Sequence, residues 1–413
     1  MANEFINPVA VAQESLIRWE NNLVAAKFVS REFDSKFAVP GAKFGYVFNA
    51  RIPVRFRGRT GDQIQPESIR ETVVPIAVNQ LWGQDLQISD QDLTMTVDRF
   101  GERYVEGAVQ IIANNIDSQI LAQYQYVYNF SGTPGVLPTN LATYTDAGVV
   151  LADSGMPKGR MTSLLVNPRS EAAVLGFNSN IFNPPKTIGE QYLTGKMGEA
   201  VGFKWSMDQN VQRQTVGTCT ASTPVISGAN QTGNSITTSG WANSAAILNA
   251  GDIVQFQGAD SVNPVSYNDT GSLRSFVVTA PVTSSNTGTA TIPISPDMNN
   301  DVTSPFQTVT ALPANGAAIY VYGVAAANLA NISGVSSAQC LAFHRDAITL
   351  VIVKLELPGG MEWSEEVSNP RVGISIRLVR GFDIKDNQKY TRLDVLGGVK
   401  VVRPEFACRI CSN

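Results

Sequence analysis

One long segment of this chain is almost without charge. Within residues 217–325 the charged residues are Asp252, Asp260, Asp269, Arg274, Asp297 and Asp301, and no lysine occurs between Lys204 and Lys354. Ser, Thr, Asn and Gly dominate there, and short β-prone pieces recur between turn residues: IVQFQG, SFVVTAPV, TATIPI and AAIYVYGV. This pattern predicts a small all-β barrel or sandwich. Low-complexity disorder is the alternative for so much Ser and Thr, and the regular apolar pieces argue against it.

Both flanks of this segment read as α/β. In MTSLLVNPRSEAAVLGF a buried strand precedes a helix opened by Asn167-Pro168, and VGFKWSMDQNV is a strand leading out. After the β-rich segment, CLAFHRDAITLVIVKLELP predicts a helix whose apolar face continues into a strand. Two further strands about an Asp386-Asn387 turn, a bend at Gly397-Gly398 and a last strand follow. The chain thus leaves an α/β region, makes a β-domain and returns, as insertion at a surface loop allows.

The first third has another character. Asn7-Pro8 and the spacing of Leu16, Trp19, Leu23 and Ala26 predict a helix over about 7–28. It would pack on its own core or reach a neighbour. Residues 40–80 read as a long β-hairpin punctuated by Pro and Gly. Arg51, Arg55, Arg57 and Arg59 would share one face of a continuous strand, with Pro53 as the interruption that leaves the run from Arg55 to Arg59. Such a row of guanidiniums suits carboxylates or phosphates, or is a solvated strand face. From about 99 to 127 no proline appears, and Val105, Val109, Ile112, Ile116 and Ile120 form one stripe, widened by Phe100, Tyr104, Ala108 and Ile111. Ser89 and Asp92 stand at capping-box spacing before it. The helix would be roughly 40 Å long. That is long for a globular domain, and beside a long hairpin it suggests an elongated subunit.

At 413 residues the chain exceeds one ordinary core, which implies two or three domains. A formal charge of −4 is a poor basis for gripping phosphates over the whole surface. Cys219, Cys340, Cys408 and Cys411 are too few and too scattered for a disulfide scaffold, and a reducing cytoplasm is the expected compartment. The N-terminal residues lack a basic region and an apolar run, so no signal peptide is expected. No apolar run reaches the roughly 20 residues that span a bilayer. The N-x-S/T triplets at Asn129, Asn230, Asn268 and Asn331 are read as chance.

A search for catalytic patterns fails. His344 is the single histidine, which removes most triad and His-metal designs. Its H-R-D context lacks the kinase asparagine, Val351 standing in that place, and a histidine at a helix start is expected. Gly189 to Lys196 has the wrong spacing for a phosphate loop, with Met197 where Ser or Thr is needed. Cys408-x-x-Cys411 has no second ligand pair for zinc and no strand-to-helix context for redox work. Glu362, Glu365 and Glu366 beside Trp363 are a cation site, a solvated turn, or partners for a neighbour's arginine row. No enzyme activity, cofactor or metal is expected.

The order of these elements resembles the major capsid proteins of tailed bacteriophages, specifically the podovirus coat type with an inserted β-barrel. VGFKWSMDQNVQRQTVGT is similar to the segment entering that insertion, CLAFHRDAITLVIVKLELP to the one after it, and LDVLGGVKVVRPEFACRI to the family's C-terminal ending. The resemblance implies an α+β phage major-capsid fold: an N-terminal arm (1–40), an extended-loop hairpin (41–78), a peripheral domain with a spine helix at about 99–127 (79–130), an axial domain split into 131–216 and 326–413, and an inserted β-barrel (217–325). It implies a subunit that assembles with itself as pentamers and hexamers, around a scaffolding protein and with a portal, into an icosahedral head. That head expands as double-stranded DNA enters, without sequence-specific or membrane binding. The virion would be its place, with assembly in the host cytoplasm. No self-crosslinking or protease site is seen, so a non-covalent shell is expected. Arg55, Arg57, Arg59, Asp62, Glu362, Glu365 and Glu366 are the expected inter-subunit contacts. Rival readings are a decoration or head-completion protein, a non-viral self-assembling shell protein, a β-rich surface protein and an enzyme.

Overall fold

A computed structural model describes residues 23–31, 47–58, 61–64, 66–67, 69, 71–89, 106–157, 159, 162–178, 198–219, 221–361, 363–369, 374–385 and 388–413. The chain divides into two compact units. One comprises Met1–Ala50, Val73–Ile120 and Ile348–Lys400, the other Arg51–Thr72, Leu121–Ala347 and Val401–Asn413.

The first unit is organised by a five-stranded sheet. The long strand Gln388–Val401 pairs with Ile348–Val353, Ile374–Asp383 and Gln80–Ser89, and Trp363–Asn369 lies outside Ile374–Asp383. Leu393 faces Leu378 on one side and Gln84 on the other, which fixes the antiparallel register. Gly397-Gly398 does not separate two strands as expected, because both glycines lie inside the one strand Gln388–Val401. The glycines serve close approach instead. A Cβ on Gly398 would stand 2.1 Å from the Ala77 carbonyl, and one on Gly397 2.6 Å from the Trp82 ring.

The expected long helix is described as Glu106–Leu121, continued by a 3-10 turn Ala122–Tyr126. Residues 99–105, with Phe100, Tyr104 and Val105 of the expected stripe, lie outside the described residues. Ala108, Val109, Ile112, Ile116 and Ile120 are buried, as their spacing requires. Ile111 is not part of that face and is 47% exposed. Ser89 closes the strand Gln80–Ser89, and Asp92, its expected capping-box partner, lies outside the described residues. Asp117 lies on the buried side and accepts the backbone N–H groups of Val24 at 2.7 Å and Ala26 at 2.9 Å. It thereby satisfies a 3-10 turn at Ala25–Lys27. Residues 7–22 of the expected N-terminal helix lie outside the described residues.

The second unit contains two seven-stranded sheets and a small two-stranded one, Ala246–Leu248 with Val282–Thr283. The first runs in the order Phe130–Ser131, Ala407–Ser412, Ser336–His344, Thr162–Val166, Phe203–Met207, Glu199–Ala200, with Arg213–Thr215 also on Ser336–His344. Thr162–Val166 and Phe203–Met207 are parallel, and the helix Pro168–Asn178 lies between them in sequence. Its expected cap is formed, with Asn167 Oδ1 accepting the Ser170 N–H at 3.0 Å. Tyr144, Ala147 and Leu151 of the helix Ala142–Asp153 pack on Leu164, Val166, Trp205, Ala342 and Ile410.

The expected helix in CLAFHRDAITL is overturned. This run is two strands, Ser336–His344 and Ile348–Val353, joined by the 3-10 turn Arg345–Ala347. Almost every residue in both is buried. A strand covered on both faces loses its alternation and reads like a buried helix.

The second sheet holds the four β-prone pieces. Its order is Val324–Ala325, Ile319–Val321, Ile253–Val262, Asp269–Val278, Ala290–Met298, Gly233–Trp241, Ala221–Ile226. Val225 then bridges to Ala318, with Ile226 N–H to the Ala317 carbonyl at 3.0 Å and Gly316 N–H to the Ile226 carbonyl at 2.9 Å. The last strand thus reaches back to the segment that begins Ile319–Val321. The enclosed core includes Phe256 and Phe276, whose rings lie 5.6 Å apart, with Ile236, Ile292, Val254 and Ile319. The chain leaves along Arg213–Thr215 and returns along Ser336–His344, and these two strands pair with each other (Thr215 opposite Ser336). A segment whose two ends meet in this way can sit in a parent fold without disturbing it.

Candidate subunit-contact site

The expected contact residues divide between the two units. Arg51 lies in the strand Val47–Ile52, which pairs with Thr72–Ala77 to make the hairpin base. Its ion pair with Glu71, at 3.7 Å, is largely exposed, an arrangement that contributes little. The strand ends before Pro53, so Arg55 and Arg57 are not in a continuous strand with Arg51. They lie in an irregular segment, Pro53–Gly58, whose side chains find partners in the same unit.

The Arg55 guanidinium donates to Glu405 Oε1 at 2.5 Å, with both side chains largely covered. Glu405 is held in the 3-10 turn Pro404–Phe406, and its backbone carbonyl accepts from Asn129 Nδ2 at 3.1 Å. Charge-assisted bonds of this kind are short and strong. The Arg57 guanidinium stacks 4.5 Å from the centre of the Tyr267 ring, while its Nη1 donates to Gln307 Oε1 at 3.3 Å and the Ser304 carbonyl at 3.4 Å. The Arg57 backbone N–H donates to the Glu67 carboxylate at 3.0 Å. The Tyr267 hydroxyl in turn donates to the Pro305 carbonyl at 3.3 Å. Burial raises the Tyr267 pKa, against the pull of Arg55 and Arg57. Asp62 is exposed, as are Phe56, Ile64 and Ile69, the last two at 84% and 71%. Arg59 lies outside the described residues.

Glu365 and Glu366 occupy the strand Trp363–Asn369, not a turn, and Glu362 lies outside the described residues. Successive strand residues face opposite sides of a sheet, so these two carboxylates diverge. Glu366 sits opposite Arg377 in the ladder and lies 3.4 Å from the Lys354 ammonium. Arg377 reaches the buried Asp394 at 2.6 Å, and Arg392 meets the same carboxylate at 2.7 Å.

His344 closes a strand and does not start a helix. Its Nδ1 lies 3.4 Å from the Asp346 N–H, and burial depresses its pKa despite the nearby Asp346 carboxylate. Cys408 and Cys411 are free and buried in the strand Ala407–Ser412. Burial raises both thiols, Cys411 to about 12, so neither supplies a thiolate. Among the described residues no group of three or more His, Cys, Asp or Glu side chains could hold a metal, and no helix is long and apolar enough to cross a membrane.

Sequence reading missed two buried charged residues at one junction. Arg409 and Asp252 are both fully buried. Asp252 accepts the N–H groups of Gly217 at 2.9 Å and Asn249 at 2.8 Å, and the Gln214 amide at 2.9 Å. Arg409 Nη1 donates to the Gly251 carbonyl at 2.7 Å, with Tyr124 and Tyr322 rings on its guanidinium. These contacts tie the last strand and the strand Arg213–Thr215 to the β-rich segment. The available signal was Asp252 as one of few charges in its segment, and an arginine inside the apolar run ACRICS.

A family model described as P22 coat protein, gene protein 5, matches residues 67–409. No curated protein matches the chain. Among solved structures, it is similar to one from Mycobacterium phage Che8 at 13% identity, covering 94% of this chain and 90% of that one, with a TM-score of 0.48. It is similar to the capsid of Ralstonia phage GP4 at 9% identity, covering 94% and 88%, with a TM-score of 0.45. The CUS-3 coat protein I-domain matches at 28% identity over 24% of this chain and 96% of that one, with a TM-score of 0.19.

Proposed function

The chain belongs to the P22 coat protein family, and on that premise we propose that it is the major shell subunit of a tailed-phage head, assembling with itself into an icosahedral capsid around double-stranded DNA. The family match over residues 67–409 carries this reading. Pentamers and hexamers joined by non-covalent contacts build the shell, because one subunit must close a sphere by many repeated weak interfaces. The shell forms first as a precursor with a scaffolding protein and a portal, and expands as DNA enters. A net charge of −4 suits a container that encloses DNA without gripping its sequence. Assembly takes place in the host cytoplasm, and no catalytic role is assigned.

The parts follow the family plan: an arm (1–40), an extended loop (41–78), a peripheral region with the spine helix (79–130), an axial domain (131–216 and 326–413) and an inserted barrel (217–325). Two observations support the last part: the bridge from Val225 to Ala318 that joins the ends of its sheet, and the pairing of the strands that lead in and out. Arg55, Arg57, Arg59 and Asp62 of the loop, and Glu362, Glu365 and Glu366, serve as contacts between subunits. Negative-stain microscopy of the purified full chain, with and without a co-expressed scaffold, tests the proposal. Closed shells of uniform size are expected. Well-folded monomers that never close into shells under either condition would overturn it.

A further inference from the structure

The segment Pro53–Gly58 is bound on one side by its own subunit. Its contacts with the rest of the unit are the Arg55 to Glu405 pair at 2.5 Å, the Arg57 guanidinium over Tyr267 at 4.5 Å, Arg57 Nη1 to Gln307 at 3.3 Å and to the Ser304 carbonyl at 3.4 Å, the Arg57 N–H to Glu67 at 3.0 Å, and the Tyr267 hydroxyl near the Phe56 carbonyl at 3.5 Å. The partners come from separate stretches of chain, the turn at 404–406 and the loops around 267 and 304–307. Three apolar residues of the same loop, Phe56, Ile64 and Ile69, are exposed. Polar groups are therefore docked at home while apolar groups are presented.

We infer that Pro53–Gly58 is a self-docked strap, in which Glu405 and Tyr267 hold the loop guanidiniums of the free subunit and must be displaced before a neighbour can engage them. This rests on the reading that Arg55 and Arg57 contact a neighbour. A guanidinium engaged by a carboxylate has satisfied its preferred acceptor geometry. A neighbour's carboxylate then gains only the difference between two pairings, and the initial encounter is slowed. A contact made only in the free subunit stabilises that subunit relative to the shell, so the strap slows nucleation and also lowers the net gain of assembly. The device keeps a high concentration of subunits from polymerising before a scaffold organises them.

Variants on the partner side separate the two ideas, because they free the guanidiniums without removing them. Glu405→Gln keeps the backbone carbonyl that Asn129 uses, and Tyr267→Leu removes the π face while keeping bulk. Light scattering of folded full-length monomers without scaffold reads the lag before shells appear, with circular dichroism and sedimentation confirming monomers at the start. Both variants are expected to shorten the lag several-fold and to give shells of normal size. Folded E405Q and Y267L monomers with an unchanged or longer lag would overturn the strap. The double variant R55A/R57A is the arm for the neighbour contact, and it is expected to lose shells. Normal shells from R55A/R57A would overturn the neighbour contact, and the E405Q lag would still decide whether the loop is restrained.

Discussion

The sheet around Gln388–Val401 and the sheet of the β-rich segment are both largely antiparallel, yet they are held by different forces. The first carries a ladder of charge. Asp394, fully buried, takes Arg377 and Arg392, and Lys354 meets Glu366. The second has few charges, and its interior is Phe256, Phe276, Ile236, Ile292 and their neighbours, with Ser and Thr hydroxyls satisfying turns such as Ser285 to Thr289. A sheet whose two ends are bridged leaves few unpaired backbone groups and can rely on apolar burial. An open sheet with a long central strand needs groups that fix register and discourage stray pairing, which charged side chains supply.

The comparison predicts that the β-rich segment is separately stable. A fragment spanning 217–325 is expected to fold alone, and one extended to 335 to be more stable, because Leu329 and Ile332 belong to its core. Each buried aliphatic side chain of this kind adds about 1.5–3 kcal/mol. Urea unfolding followed by circular dichroism checks both, and a disordered 217–335 fragment would break the comparison. Next in size, Phe276→Ala removes one ring of the Phe256 pair and should cost about 3–5 kcal/mol. The loss should appear in the unfolding transition of the β-rich segment in the full chain.

Asp394→Ala tests the charged sheet. It strands Arg377, which is mostly covered, whereas Arg392 is half exposed and can turn to water. A cost of about 2 kcal/mol is expected, less than for a fully buried pair. It should fall with added salt only slightly, since the carboxylate is buried. An equal effect on the β-rich segment's transition would contradict the separation of the two regions. The smallest effect concerns His344. Burial lowers its folded pKa below the usual value near 6.5, so the folded state binds fewer protons than the unfolded one. Its contribution is present above about pH 6.5 and is lost as pH falls through the folded pKa. His344→Gln should flatten the stability profile below about pH 6.5, read from urea midpoints, with no change well above it.

The legible parts of the fold had local causes. Asn167-Pro168 opens its helix because a side-chain oxygen three residues upstream of Ser170 can cap it. Val109, Ile112, Ile116 and Ile120 share a face because helical geometry puts them there. The β-prone pieces between 253 and 321 are strands because turn residues isolate them. The misreadings occurred where neighbours decide. Ser336–His344 is buried on both faces, so its pattern carries no period. Gly397 and Gly398 looked like a bend, but their lack of a side chain is what lets Ala77 and Trp82 approach.

The candidate site follows the same division. The sequence showed that arginines cluster on the hairpin and that the chain lacks catalytic patterns. It could not show that Arg55 meets Glu405, 350 residues away, or that Arg57 meets Tyr267. It also could not show that Arg409 is buried on the Gly251 carbonyl, or that Asp252 is buried under three N–H donors, since a charge in an apolar run is costly until distant groups bond to it. By itself, then, the sequence determined the local elements, a charge-poor β-rich segment and the family to which the chain is similar. Only tertiary structure decided which charges are occupied, because pairing depends on distances between residues far apart in the chain, and no spacing rule encodes them.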